Sequence, residues 1–145
     1  GTEPVALAVG FQTALELWQQ EATTRTEHLV RLRDELQALL TAGGPSAVVI
    51  GGESHRLPHT LNIAFPNVDR QALVMALDLA GVACSTGSAC ASGSSELSPT
   101  LLAMGIPECH AAAAIRFSLG ILTTAAEVSL GADRILRAIK QLRRP

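Results

Sequence analysis

The chain has 145 residues, 48% of them hydrophobic and 17% charged, a balance that supports one domain with a real core and leaves no stretch polar enough for disorder. Its 11 basic and 13 acidic residues give a net charge of −2, which points to neither nucleic acid nor an anionic membrane as a partner. With one Trp, three Phe and no Tyr there is no stacking platform for bases, and no window approaches the roughly 18 apolar residues of a membrane span.

Residues 5–41 are predicted to be helical. Phe11, Leu15 and Trp18 fall at i, i+4 and i+7, and Leu29, Leu32, Leu36 and Leu39 continue a stripe at helical spacing. The polar stretch Gln19–Thr26 between them is either a solvated part of one long helix or a break. Gly43-Gly44-Pro45 stops it. Ala47–Ile50 is a short strand ended by Gly51-Gly52. Leu61–Phe65 alternates as a half-buried strand does, and Pro66 ends it. Asp69 is the expected N-cap of a helix over 70–80, with Leu73, Ala76, Leu77 and Ala80 inward. Gly81–Cys84 reads as another brief strand. Short helices are expected near Pro99–Met104 and Pro107–Ala113.

Ala114–Gly120 alternates again, with Arg116 and Ser118 on one face and Ile115, Phe117 and Leu119 on the other. A capping box of Thr124 and Glu127 opens the last helix, in which Val128, Ala132, Ile135, Ile139 and Leu142 face inward. The expected fold is α/β: a long N-terminal helix and a small, mostly antiparallel sheet covered by helices on one side.

The residue that most needs a chemical explanation is Cys90. It sits in Ser85-Thr86-Gly87-Ser88-Ala89-Cys90-Ala91-Ser92-Gly93-Ser94-Ser95, a run of small, hydroxylated and glycyl residues that predicts a mobile surface loop. A structural cysteine normally sits among large apolar residues. Cys90 is therefore either an incidental loop cysteine or a nucleophile carried on a tether. Arg116 is the second candidate. In an otherwise apolar strand it either reaches to the surface and pairs with a local acid, or takes a substrate carboxylate in its planar fork.

Cys84 is expected to pack as a small hydrophobe, and His59 to act as a polar cap ahead of a strand. Cys84, Cys90, Cys109 and His110 match no common zinc spacing, so no metal is expected. The run Val5–Phe11 follows Glu3 without a basic stretch and does not read as a signal peptide. Three cysteines without a framework suit free thiols in a reducing, cytoplasmic setting.

Ser85–Cys90, followed at the right separation by Ile115-Arg116-Phe117-Ser118-Leu119-Gly120, closely resembles the NifS/IscS-like (group I) cysteine desulfurases. These are pyridoxal-phosphate-dependent relatives of the class V aminotransferases, of fold type I. Gly1-Thr2-Glu3-Pro4-Val5 and His59-Thr60-Leu61-Asn62-Ile63 also resemble segments of that family, so the resemblance runs in order from residue 1 to about 143.

The resemblance implies that Cys90 is the persulfide-forming cysteine, which takes the sulfur of L-cysteine and leaves L-alanine. It implies that Arg116 grips the substrate α-carboxylate, and that Thr2 reaches the cofactor phosphate of the partner subunit in a homodimer. A sulfur-acceptor protein, in iron–sulfur cluster or thio-cofactor assembly, is the implied partner. Residues 1–45 would be the interdomain helix region and 46–145 a small C-terminal α/β domain.

The family's Glu-Pro-Ser after the loop is here Glu96-Leu97-Ser98. More consequential, a pyridoxal enzyme needs a Schiff-base lysine, and the only lysine, Lys140, matches no cofactor motif. The expectation is thus the C-terminal portion of a longer enzyme, inactive alone. The alternatives are a stand-alone persulfide carrier or dimerisation module, or a selenocysteine lyase.

Overall fold

The polar stretch around residue 22 does not break the first helix. In the computed structural model, which describes residues 2–44, 46–87 and 97–143, helix α1 runs unbroken over Val5–Gly43, 39 residues. An i, i+4 pair lies within that stretch, Arg25 Nε donating to Glu21 at 2.7 Å, as suits a solvated helix face. Only the second half of α1 is buried, through Leu29, Leu32, Arg33, Leu36 and Leu40. The inward position is Leu40 rather than the expected Leu39, which is 36% exposed. Steps of three, four and four follow the 3.6-residue turn more closely than the strict stripe assumed from sequence. Val5, Phe11, Leu15 and Trp18 in the first half are all exposed.

Three short strands follow: β1 (Val48–Val49), β2 (Thr60–Ala64) and β3 (Ala114–Ser118). They form one antiparallel sheet in the order β1-β2-β3, with Ile63 opposite Ile115 and Asn62 opposite Arg116. The expected strand at 81–84 does not form. Only Ser85 pairs, through a single antiparallel bridge to Arg116.

Helices α2 (Arg70–Leu79) and α5 (Ala125–Leu142) pack with α1 on one face of the sheet. Leu61, Ile63, Ile115 and Phe117 point there and meet Leu32, Leu36, Leu73, Leu77, Ala132, Ile135 and Ile139 in the main core. The helix cover is not confined to that side. The short helices α3 (Pro99–Ala103) and α4 (Glu108–Ala112) reach the other face, where Ala64 and Ala114 pack with Leu101 and Ala111. Alanine on both strands lets these elements come close to the sheet, and period-2 alternation sends Ala114 and Arg116 to this same face.

The expected caps are in place. Asp69 accepts from the backbone N–H of Ala72 at 2.7 Å. Thr124 and Glu127 form the full capping box of α5, and its hydrogen bonds to the Thr124 backbone and hydroxyl hold the Glu127 carboxyl below its ordinary range. Among the described residues no helix is long and apolar enough to cross a membrane.

Candidate active site

Arg116 is placed by two neighbours. Its backbone N–H donates to the Ser85 carbonyl at 2.8 Å, and its carbonyl accepts from the Ser85 N–H at 3.0 Å. On its other side lies Asn62 of β2. Since both backbone groups of Arg116 turn to Ser85, and the Asn62 carbonyl turns away to accept from Ile50 at 2.9 Å, Asn62 and Arg116 form a pair without mutual backbone bonds. Such pairs are the narrow ones, with Cα atoms about 4.5 Å apart and side chains closest. Arg116 is therefore not on a bare edge.

The turn that brings Ser85 there is set by Gly81. Gly81 takes a positive φ of +72°, and its N–H donates to the Asp78 carbonyl while the Val82 N–H donates to the Leu77 carbonyl at 2.8 Å. This double closure ends α2 in a left-handed cap that glycine adopts without strain. The chain reverses, tucks Val82 and Cys84 against the main core, and delivers Ser85 to Arg116. The apolar run read as a strand is used in this reversal, which is why no ladder forms over 81–84.

Beyond Ser85, Gly87 takes a positive φ of +58° and joins the wall of a cavity of about 280 Å³. Asn62, Ser98, Thr100 and Arg116 supply its polar lining, and Leu101 and Ala114 its apolar part. The volume is at the small end of ligand pockets, roughly 300–1,000 Å³, and suits a molecule of amino-acid size. Ser98 is buried and caps α3, with Pro99 in the first turn. The change to Leu97 thus leaves that helix start intact.

Among the described residues no carboxylate or other acceptor meets the Arg116 side chain, whereas Arg33 and Arg56 both reach Asp34. The local acid expected of a merely structural arginine is absent among them. The Oδ1 of Asn62 is likewise buried and without a hydrogen-bond partner. Sequence reasoning passed over Asn62. Its signal was a carboxamide at the centre of an apolar strand, two residues from either end.

The other candidates fall apart from this cavity. Cys90 lies outside the described residues, as does Glu96. Thr2 is exposed ahead of α1 and is not among the residues lining the cavity. Cys84 is half-buried, and burial, with Asp78 adding to it, pushes its thiol above the ordinary range. Cys109 is exposed on α4. The His59 carbonyl accepts from the Leu119 N–H at 2.9 Å, so that residue fastens the end of β3 through its backbone. Lys140 lies on α5 and lines a different cavity with Arg137 and Arg143.

Residues 1–130 match the family described as aminotransferase class-V. The chain is 40% identical over 139 residues to the cysteine desulfurase NifS of Azotobacter vinelandii, an overlap of 96% of this chain and 34% of that protein. To the cysteine desulfurase IscS of an Anaeromyxobacter species it is 41% identical over 143 residues, covering 99% of this chain and 35% of the relative. A solved NifS-like protein from Rickettsia africae superposes with a TM-score of 0.82 at 26% identity, over 97% of this chain and 36% of that one. The chain spans about a third of the length of the relatives it matches.

Proposed function

Because the chain belongs to the class-V aminotransferase family, we propose that it forms the substrate-gripping and sulfur-accepting part of a NifS/IscS-like cysteine desulfurase. The observation that carries this is Arg116, whose backbone is held between Asn62 and Ser85 and which lines a small cavity with no acid against its side chain among the described residues. A planar fork so placed is suited to two parallel hydrogen bonds from a carboxylate. The segment that pairs with Arg116 at Ser85 runs on to Cys90 five residues later, so the site that grips the substrate and the proposed sulfur acceptor share one stretch of chain.

In this reading Arg116 holds the α-carboxylate of L-cysteine. The substrate sulfur leaves its carbon, that carbon takes up a proton, and L-alanine departs. The sulfur bonds to Cys90 Sγ as a persulfide, with no outside oxidant or reductant required. The persulfide then passes to a sulfur-acceptor protein. Thr2 is assigned to the cofactor phosphate of a partner subunit in a homodimer. Residues 1–45 are read as an interdomain helix region, and 46–145 as a small C-terminal domain. The exposed apolar side chains in the first half of α1 support a neighbour there.

Pyridoxal phosphate is the cofactor this activity calls for, and the described residues do not fit it. The sole lysine of the chain, Lys140, is exposed and lines a cavity that shares no residue with that of Arg116. We therefore assign the cofactor lysine to the part of the relatives' length that this chain does not span. The same observation favours one other reading, a persulfide carrier without cofactor chemistry.

The test is the native protein given L-cysteine, with alanine as the readout. Arg116→Gln should raise KM for L-cysteine by at least tenfold, the scale of a lost charge-assisted hydrogen bond. A carrier would form no alanine at all. Unchanged KM in the Arg116 variant would overturn the assignment of the carboxylate grip.

A further inference from the structure

Two polar groups face each other across the sheet, each lacking the kind of partner the other offers. Asn62 Oδ1 is an acceptor, buried and without a hydrogen bond. Arg116 carries five N–H donors and meets no acceptor side chain among the described residues. The two residues are direct cross-strand neighbours in the narrow type of pair, and both line the same cavity.

We propose that Asn62 is a positioning residue for Arg116: its Oδ1 accepts one guanidinium N–H and so turns the remaining fork into the cavity, toward a carboxylate. The inference rests on the reading of Arg116 as the carboxylate grip and adds to it the group that aims the grip. An arginine side chain has many rotamers, and a single fixed acceptor at its inner edge excludes most of them in the bound state. A buried acceptor with no donor is unfavourable, so closing this bond when the carboxylate binds satisfies Asn62 and orients Arg116 in one movement. Ser85 fixes the arginine's backbone from the opposite side, which leaves side-chain rotation as the freedom Asn62 has to restrain.

The test compares L-alanine with L-alaninamide as unreactive ligands of the native protein, by calorimetry. The two differ in whether a carboxylate is offered to Arg116. Asn62→Val removes the acceptor, and Asn62→Thr returns an oxygen to a side chain of the same shape. Both are β-branched and favoured in strands, so they stand or fall together as folded proteins.

The expected result is a loss of about tenfold in L-alanine affinity for Asn62→Val, an unchanged affinity for L-alaninamide, and recovery of part of the loss in Asn62→Thr. Equal weakening of both ligands, or identical behaviour of the Val and Thr variants, overturns the proposal. Arg116→Gln separates the two layers. If it leaves the preference for the carboxylate intact, the reading of Arg116 itself is wrong. If it abolishes that preference while Asn62→Val does not, only the role of Asn62 falls.

Discussion

Cys84 and Cys109 are both free thiols, yet their surroundings differ. Cys84 is half-buried against the main core, and that burial, reinforced by the negative charge of Asp78, raises its thiol pKa. The thiolate is the reactive form, so at pH 8 Cys84 holds less of it than an ordinary thiol does. Cys109 is open to solvent on α4. Alkylation followed by peptide mass spectrometry should label Cys109 first, and labelling of Cys84 should accelerate as the pH rises beyond the ordinary thiol range. Equal rates at pH 8 would contradict this account of Cys84. At this scale the sequence was informative where a residue broke the character of its neighbours, as Arg116 does in Ala114–Ser118. It was silent on Asn62, whose significance comes from a neighbour 54 positions away.

Among the elements, the end of α2 has the most influence on the site. The left-handed cap at Gly81 sets the direction in which residues 82–87 leave the helix, and so whether Ser85 meets Arg116. A side chain at a φ of +72° is strained by roughly 1–2 kcal/mol. A Cβ built there also approaches the Arg134 guanidinium at 3.2 Å, which that flexible side chain can relieve. Gly81→Ala is therefore expected to lower stability in urea by about 1 kcal/mol, with weaker L-alanine binding as the displaced segment loosens Arg116. Full stability and binding in this variant would show that the cap does not position the site. The helices of this chain were legible because their signals are local: Asp69 and Thr124 as caps, Gly43 and Gly44 at a stop, and repeats such as Val128, Ala132, Ile135 and Ile139. The Gly81–Cys84 run was misleading. Its apolar character suits a strand, but it serves to turn the chain and tuck Val82 and Cys84 into the core.

Across the whole molecule, the second half of α1 belongs to the core and the first half does not. Leu32, Leu36 and Leu40 join the main core, whereas Val5, Phe11, Leu15 and Trp18 are exposed on the same continuous helix. Apolar side chains grouped in this way promote association. The 145-residue chain by itself should sediment as larger species with rising concentration, and a strictly monomeric profile would contradict this. Periodicity alone could not separate the two halves, because an apolar stripe on a helix looks the same whether or not anything covers it. The class of fold was legible from the order of helices and strands. The placement of α3 and α4 on the second face was not, since it depends on the small size of Ala64 and Ala114 acting together.

We propose that Arg116 holds the substrate and that Cys90 receives its sulfur. The most direct test is peptide mass spectrometry of the native protein after L-cysteine, with alanine measured in the same sample. The account predicts that the Cys90 peptide gains one sulfur atom, that alanine appears in equal amount in the first turnover, and that Cys90→Ser abolishes both. Undiminished alanine turnover in the Cys90→Ser protein would contradict it.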